Sequence, residues 1–577
     1  MCALRLRSSR PTKSRISRRL AVEALEGREV PATFTVTTFA DVVSATDGKL
    51  SLREAISLAN ANPGADTIVL RAGTYTQTLA GDDNTNAGGD FDVTDSLTIT
   101  GAGPAATAIK GNHDNRLFDV LGSVNVTFNN LSLRDAGNAV SNGGAVQALS
   151  ANINLNNCVV RGEVGALGGA INAEGGSVTI RNSRLVNNRG NLGGAVRVGS
   201  GNLLLDHSAV VSNFANRGGG IFAQTGNVTL TQSTVRANTV GVSGGGINAE
   251  SGKVTLSNSQ VLNNLAVGNG GGIFAATASL TGSTVSGNRS TQGSGGGIAS
   301  TAVTLTNSTV NTNAAHADGG GVFLGVGDAT LTGSTVAGNS AGGGGGGISA
   351  GTGAVTLTNS TVKNNVATNA GGGINTLTAT LTGSTVTGNQ SGPGGGGIIA
   401  RTATLTNCTV SDNTAADIGG GIVAGLKATL VGSTVSGNTA GAQGGGIFSS
   451  TTNLTNCTIS GNTSGAARIA GGGDGGGVFA QHGTFLNSTI VENRAIGVAD
   501  FGGAGVASQF GITDPIRLKN TIIAQNFDED FQEHDVIGLF ASDGNNLIGV
   551  RGGDSGGFDE ARDLLGAADA PIDPVLG

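Results

Sequence analysis

The chain has 577 residues, of which 102 are glycine and only 12% are charged, with a single tyrosine and no tryptophan. A net charge of −7 excludes a basic nucleic-acid-binding body, and no stretch is long and apolar enough to span a bilayer. A self-repeat fills most of the sequence, so the length describes one elongated domain rather than several globular ones.

Residues 1–32 form a basic leader. Arg5, Arg7, Arg10, Lys13, Arg15, Arg18 and Arg19 give the first twenty residues +7 with no acid, so the rest of the chain carries −14. The leader lacks the apolar run of about 7 to 15 residues of a secretory signal peptide, and reads as a disordered arm or an export address. Residues Leu25 to Ala32 resemble the leader of many large exported proteins of planctomycete bacteria. That resemblance implies a secreted or cell-surface protein.

Residues 33–140 are an irregular N-terminal cap and first coils. Between Leu50 and Asn60, the residues Leu52, Ala55, Ile56 and Ala59 fall at helical spacing and predict a short helix plugging the open end of the stack. Leu50 to Ile56, with Ala65 to Leu70 and Gly73-Thr74-Tyr75, resembles the CSLREA module, with Leu50 where that family carries its leading cysteine. Gly89-Asp90-Phe91-Asp92 and Leu97 to Gly101 fit the same module.

Residues 141–527 are the regular region. A Gly-Gly-Gly/Ala-Ile/Val tetrad returns fifteen times between Val146 and Val506, and twelve of the fourteen intervals are 24 to 26 residues. Within each period apolar and polar residues alternate, as in Val228-Thr229-Leu230-Thr231, followed after a bend by Ser233-Thr234-Val235. The pattern predicts a three-stranded coil with Val228, Leu230, Ser233 and Val235 inward. Stacked coils give an all-β, right-handed parallel β-helix of about 15 or more coils. The repeats resemble those of polymorphic outer-membrane proteins, with the Asn of their Phe-x-x-Asn element kept and Val or Leu in place of the Phe, as at Val285 and Leu185.

Two columns sharpen the register. Asn188 and its equivalents through Asn526 recur once per coil, with Glu163 breaking the series at its start. Asn tolerates left-handed backbone, and stacked asparagines hydrogen-bond along an axis, so the column reads as scaffold. Cys158, Cys408 and Cys457 take the small inward site that is serine elsewhere, so they read as buried fillers too far apart for disulfides. Asn307-Ser308-Thr309 and its like are sequons that the repeat generates automatically.

Residues 528–577 are an acidic, irregular C-terminal segment. Asp528, Glu529, Asp530, Glu533, His534 and Asp535 read as a solvated turn, with calcium as the weaker reading and no other cofactor expected.

Hydrolysis of a glycosidic bond needs two carboxylates about 5 to 10 Å apart. Between Gly143 and Gln481 no two acids occupy matching positions of adjacent coils, and His207 and His316 are isolated, so no catalytic or metal residue is assigned. The residue after the tetrad is Ile399, Val423, Phe448 and Phe479 in four successive coils, and Phe222, Phe274 and Phe323 earlier. Facing outward, these form a docking stripe. The expectation is an exported or cell-surface structural or adhesive rod without catalytic activity, its partner a surface polysaccharide or a protein, its oligomeric state open. The alternative is a polysaccharide lyase or glycoside hydrolase of the pectate-lyase-like superfamily. That reading draws on Asp82, Asp83, Asp90 and Asp92, which otherwise shape a turn.

Overall fold

The computed structural model describes residues 30–465, 475–496, 503–508, 514–529, 532–552, 557–558 and 562–575. Most of the basic leader, Asp474, Asp530, Leu576 and Gly577 lie outside the described residues. The described chain is a parallel β-solenoid of about 17 turns with one helix.

One coil shows why the sequence folds this way. Ile221–Ala223 and Val228–Thr231 run along one sheet, Thr234–Arg236 turns onto a second, and Thr239–Val240 forms a short third side. Each strand pairs in parallel with its counterpart one period later: Ile221 with Ile247, Val228 with Val254, Thr234 with Gln260 and Thr239 with Leu265. The two-residue fourth strand was not legible in the repeat, because it is too short to show an alternation. Strand alternation puts Ile221, Ala223, Val228, Leu230 and Val235 fully inside, where neighbouring coils cover the apolar face that one coil cannot bury alone.

Glycine in the tetrad answers to close backbone approach. Gly295 takes φ +69°, and a Cβ on Gly296 would lie 2.4 Å from the backbone of Ala314 in the next coil.

The asparagine column is a continuous buried ladder. Asn288 donates from both its backbone N and its Nδ2 to Oδ1 of Asn313, at 2.9 and 3.0 Å, and Asn313 repeats this to Asn339. The left-handed residue is the one before each ladder asparagine: Asn187, Ser212, Ala237, Asn263 and Thr312 all have positive φ. The ladder begins at Glu163, whose N donates to Asn188 Oδ1 while its own Oε2 accepts from Ala136 N at 2.8 Å. It ends at Asp535, whose Oδ1 accepts both donors of Asn526. The serine column runs parallel to it: Cys158 N donates to Ser183 Oγ and Ser183 N to Ser208 Oγ. Cys158, Cys408 and Cys457 are buried free thiols whose burial pushes their pKa up.

The helix Leu52–Ala61 covers the open N-terminal end, as its pattern predicts. Ser51 caps it in a reciprocal box with Glu54, and Leu52, Ala55, Ile56 and Ala59 are buried. No helix among the described residues is long and apolar enough to cross a membrane.

Candidate functional site

The residue after each tetrad points outward from the first strand, between two buried neighbours. In-register pairing strings these residues into one column that begins before the regular repeat: Asp92 pairs with Asp119, Asp119 with Gln147, Gln147 with Asn172, Asn172 with Arg197 and Arg197 with Phe222. The acids of the first coils and the apolar stripe therefore occupy opposite ends of one face.

At the N-terminal end, Phe91, Val93, Phe118 and Val120 point into the core, with the two phenyl rings 5.4 Å apart. Alternation then forces Asp92 and Asp119 to the outer side on adjacent coils. A loop over residues 81–90 folds back across them. It is pinned by Arg53 from the capping helix, a fully buried guanidinium that pairs with Asp41 at 2.7 Å and donates to the carbonyls of Gly88, Gly89 and Asp90. Asp90, Asp92 and Asp119 converge under this loop, with one carboxylate oxygen from each lying within 4.8 Å of the others.

Their polar partners are few. Asp92 Oδ2 accepts from Asn86 N at 2.7 Å and Asp90 Oδ1 from Asn115 Nδ2 at 3.3 Å. Arg116 contacts Asp90 at 2.8 Å, Asp119 at 3.3 Å and Asp82 at 3.3 Å. The contact to Asp90 Oδ2 lacks the direction of a hydrogen bond, and Asp92 Oδ1 and Asp119 Oδ1 are buried with no partner. Burial raises the Asp90 carboxyl to about 7 against the pull of Arg116, and raises Asp92 to about 6 against the Asn86 N–H. Asp119 is raised by the same cause.

Of the four acids singled out in the sequence, Asp90 and Asp92 come together, while Asp82 only reaches Arg116 from an exposed position. Asp83 shapes the turn, accepting from Thr85 and from the backbone of Ala87 and Gly88. Asp119 and Arg116 escaped the sequence reading. The signal for Asp119 is the tripeptide Phe-Asp-Val, which occurs at 91–93 and again at 118–120.

Further along the column several polar side chains pair with one another, while Arg197 Nε and Asn248 Oδ1 are buried without a partner. Asn172 Nδ2 donates to Gln147 Oε1 at 2.7 Å, and Arg197 donates to Asn172 Oδ1 at 2.8 Å and pairs with Glu174. Glu250 pairs with Arg217, and Asp206 with His207, which occupies a left-handed corner.

The stripe residues Ile399, Val423, Phe448 and Phe479 stack in register on the outer side. The Phe448 and Phe479 rings lie parallel, 5.1 Å apart. The corner ahead of each tetrad closes one flank, so that Val423 is buried while Ile399, Phe448 and Phe479 are half-buried. Phe222 is buried, and Phe274 and Phe323 are half-buried.

Two of the C-terminal acids, Asp528 and Asp535, hold local structure. Asp528 accepts from Gln532 N, and Asp535 is buried at the foot of the asparagine ladder, where desolvation raises its pKa to about 7 against the Asn526 donors. Among the described residues, the aspartates 90, 92 and 119 are the one convergent group of three or more such ligands.

No known protein family matches the chain, and no curated protein matches it. Among solved structures, the A-module of the mannuronan C-5 epimerase AlgE6 of Azotobacter vinelandii is 12% identical over 91% of this chain and 97% of that one, with a TM-score of 0.17. The PL6 family alginate lyase AlyGC is 10% identical over 89% and 97%, with a TM-score of 0.25. A GH87 α-1,3-glucanase catalytic domain is 11% identical over 94% and 69%, with a TM-score of 0.22. The likeness is one of β-helix architecture alone, and it carries neither the CSLREA nor the outer-membrane-repeat resemblance.

Proposed function

We propose that this protein is an exported or cell-surface rod that binds polysaccharide along its outer first-strand face without cleaving it. The supporting observation is the column itself. It offers half-buried apolar side chains at Phe274, Phe323, Ile399, Phe448 and Phe479, and the carboxylates beside it at Glu174 and Glu250 are each tied to an arginine. Such a face suits the apolar sides of sugar rings laid along the stack, most of all over the adjacent Phe448 and Phe479. A second reading, a polysaccharide lyase or hydrolase, draws on the cluster of Asp90, Asp92 and Asp119 beside Arg116, since three acids with a cation are the raw material of acid–base chemistry. The covering loop stands against it: Asp90 and Asp92 are 0% and 1% exposed, which denies a polymer access to them.

The test is a panel of neutral and acidic polysaccharides offered to the purified chain, with and without calcium. The expected outcome is retention on at least one polymer with no new reducing ends and no unsaturated products. Turnover of any polymer would sink the non-catalytic reading, and failure to bind all of them would sink the binding one.

A further inference from the structure

We propose that Asp90, Asp92 and Asp119 form a site for a hard divalent cation of the calcium class, which locks the 81–90 loop onto the first coils. The distances suit such an ion. Calcium takes oxygen ligands at about 2.3–2.6 Å, so two oxygens on opposite sides of it lie up to roughly 5 Å apart. The three carboxylate oxygens lie within 4.8 Å of one another.

The second observation is the orphaned oxygens. Asp92 Oδ1 and Asp119 Oδ1 are buried and accept no hydrogen bond, on side chains that belong to residues 1% and 8% exposed. A buried carboxylate oxygen without a donor carries its full desolvation cost, and neighbouring carboxylates in the same state repel one another. Among the described residues, the one cation paired with these carboxylates is Arg116, which is divided among Asp82, Asp90 and Asp119, so three buried acids face one guanidinium. One further oxygen is left over nearby: Gln77 Oε1 has no partner, while its Nε2 donates to the carbonyls of Gly89 and Arg116. Acid, amide and backbone oxygens together are the ligand types that calcium collects.

The loop gives the ion a structural task. Asp90 closes the loop, whereas Asp92 and Asp119 belong to two successive coils. One ion bridging them would tie the capping segment to the stack at the point where Arg53 already grips Gly88 and Gly89. This task does not depend on polysaccharide binding, so either proposal can fail alone.

The experiment uses the full chain stripped with EDTA, dialysed, and titrated with calcium chloride in a calorimeter. Hydrogen exchange of residues 80–92 is measured alongside. One equivalent is expected to bind and to slow exchange in that segment. D92N/D119N is expected to lose at least the roughly 100-fold that removal of even an outer-sphere partner can cost. D119N alone, which alters the least buried of the three, is the second reading should the double variant fold poorly, with a loss of about 10-fold or more. D528N/E533Q, at the C-terminal acids, is expected to bind as the parent does. The proposal is overturned if the stripped chain takes up no calcium, if D92N/D119N or D119N binds unchanged, or if D528N/E533Q abolishes binding instead.

Discussion

The first coils and the regular rod share one backbone frame and differ in what they place on it. In the rod, the buried asparagine and serine columns meet counterparts of like chemistry one period away, so buried amides face amides and hydroxyls face backbone N–H groups, as at Asn288 and Asn313 or Ser183 and Ser208. In the first coils the same outward column carries aspartates with unpartnered oxygens, and a helix and a loop are needed to cover them. A stack of identical units satisfies its own polar groups by repetition. Where repetition stops, charge has to be neutralised by something else. The two ends of the asparagine ladder follow the same rule, since its terminal members are carboxylates, Glu163 and Asp535, that accept what a further asparagine would have accepted.

The largest expected effect breaks the repetition inside the rod. N313A removes the Oδ1 that receives both donors of Asn288 and the Nδ2 that serves Val285 O and Asn339. It leaves buried donors unmet and opens a small void, at a combined cost of about 3–5 kcal/mol. Chemical denaturation should register the loss, and hydrogen exchange should place it in the coils flanking residue 313, because solenoid coils are coupled mainly to their neighbours. A loss below about 1 kcal/mol would show that the ladder decorates the stack without supporting it.

Much of this contrast can be read from the sequence, for identifiable reasons. Val228, Leu230, Ser233 and Val235 were legible as inward because an apolar or small residue recurs at each position in most coils, and Cys408 as a serine stand-in because its neighbours one period away are Ser384 and Ser433. The left-handed corners were not legible as a column, because Asn187, Ser212, Ala237 and Gly287 share a conformation and no side chain. Glu163 looked like a break in the asparagine series and is its terminus. Asp119 was not legible because it pairs with Asp92 outside the regular period. Asp92 and Asp119 stand 27 residues apart, ahead of it, and a loop far along the chain from Asp119 completes their setting.

A smaller effect sharpens the comparison at the ladder's first member. Glu163 is fully buried, with one oxygen unpartnered, and desolvation holds its carboxyl well above the usual range despite the Ala136 N–H. The folded chain therefore binds this proton more tightly than the unfolded chain does. The contribution is complete below the unfolded pKa of about 4.3 and is lost as pH rises from there towards the folded value, at up to about 1.4 kcal/mol per pH unit. E163Q keeps the shape and the acceptor for Ala136 but cannot ionise. The parent is expected to lose stability relative to E163Q as pH rises from 4 to 7, read as the difference between their denaturation midpoints. Parallel curves for the two proteins would mean that Glu163 is ionised in the fold.

The smallest effect on stability is expected at the other end of the outer column. Phe448 and Phe479 lie outside the buried core and stack on each other. Replacing both in F448S/F479S gives up one ring pair and some half-buried area, about 1–3 kcal/mol in a chain whose coils are otherwise intact. If the column is a binding face, the variant should keep the parent's β-sheet circular dichroism and a cooperative melt while losing retention on the polysaccharide that the parent binds. Retention at the parent's level would remove these two rings from the binding face. Unfolding would identify them as core, against their half-exposed position. Since N313A acts on the interior and F448S/F479S on the outer column, the pair of variants separates what the repeat does for the fold from what it presents to a partner.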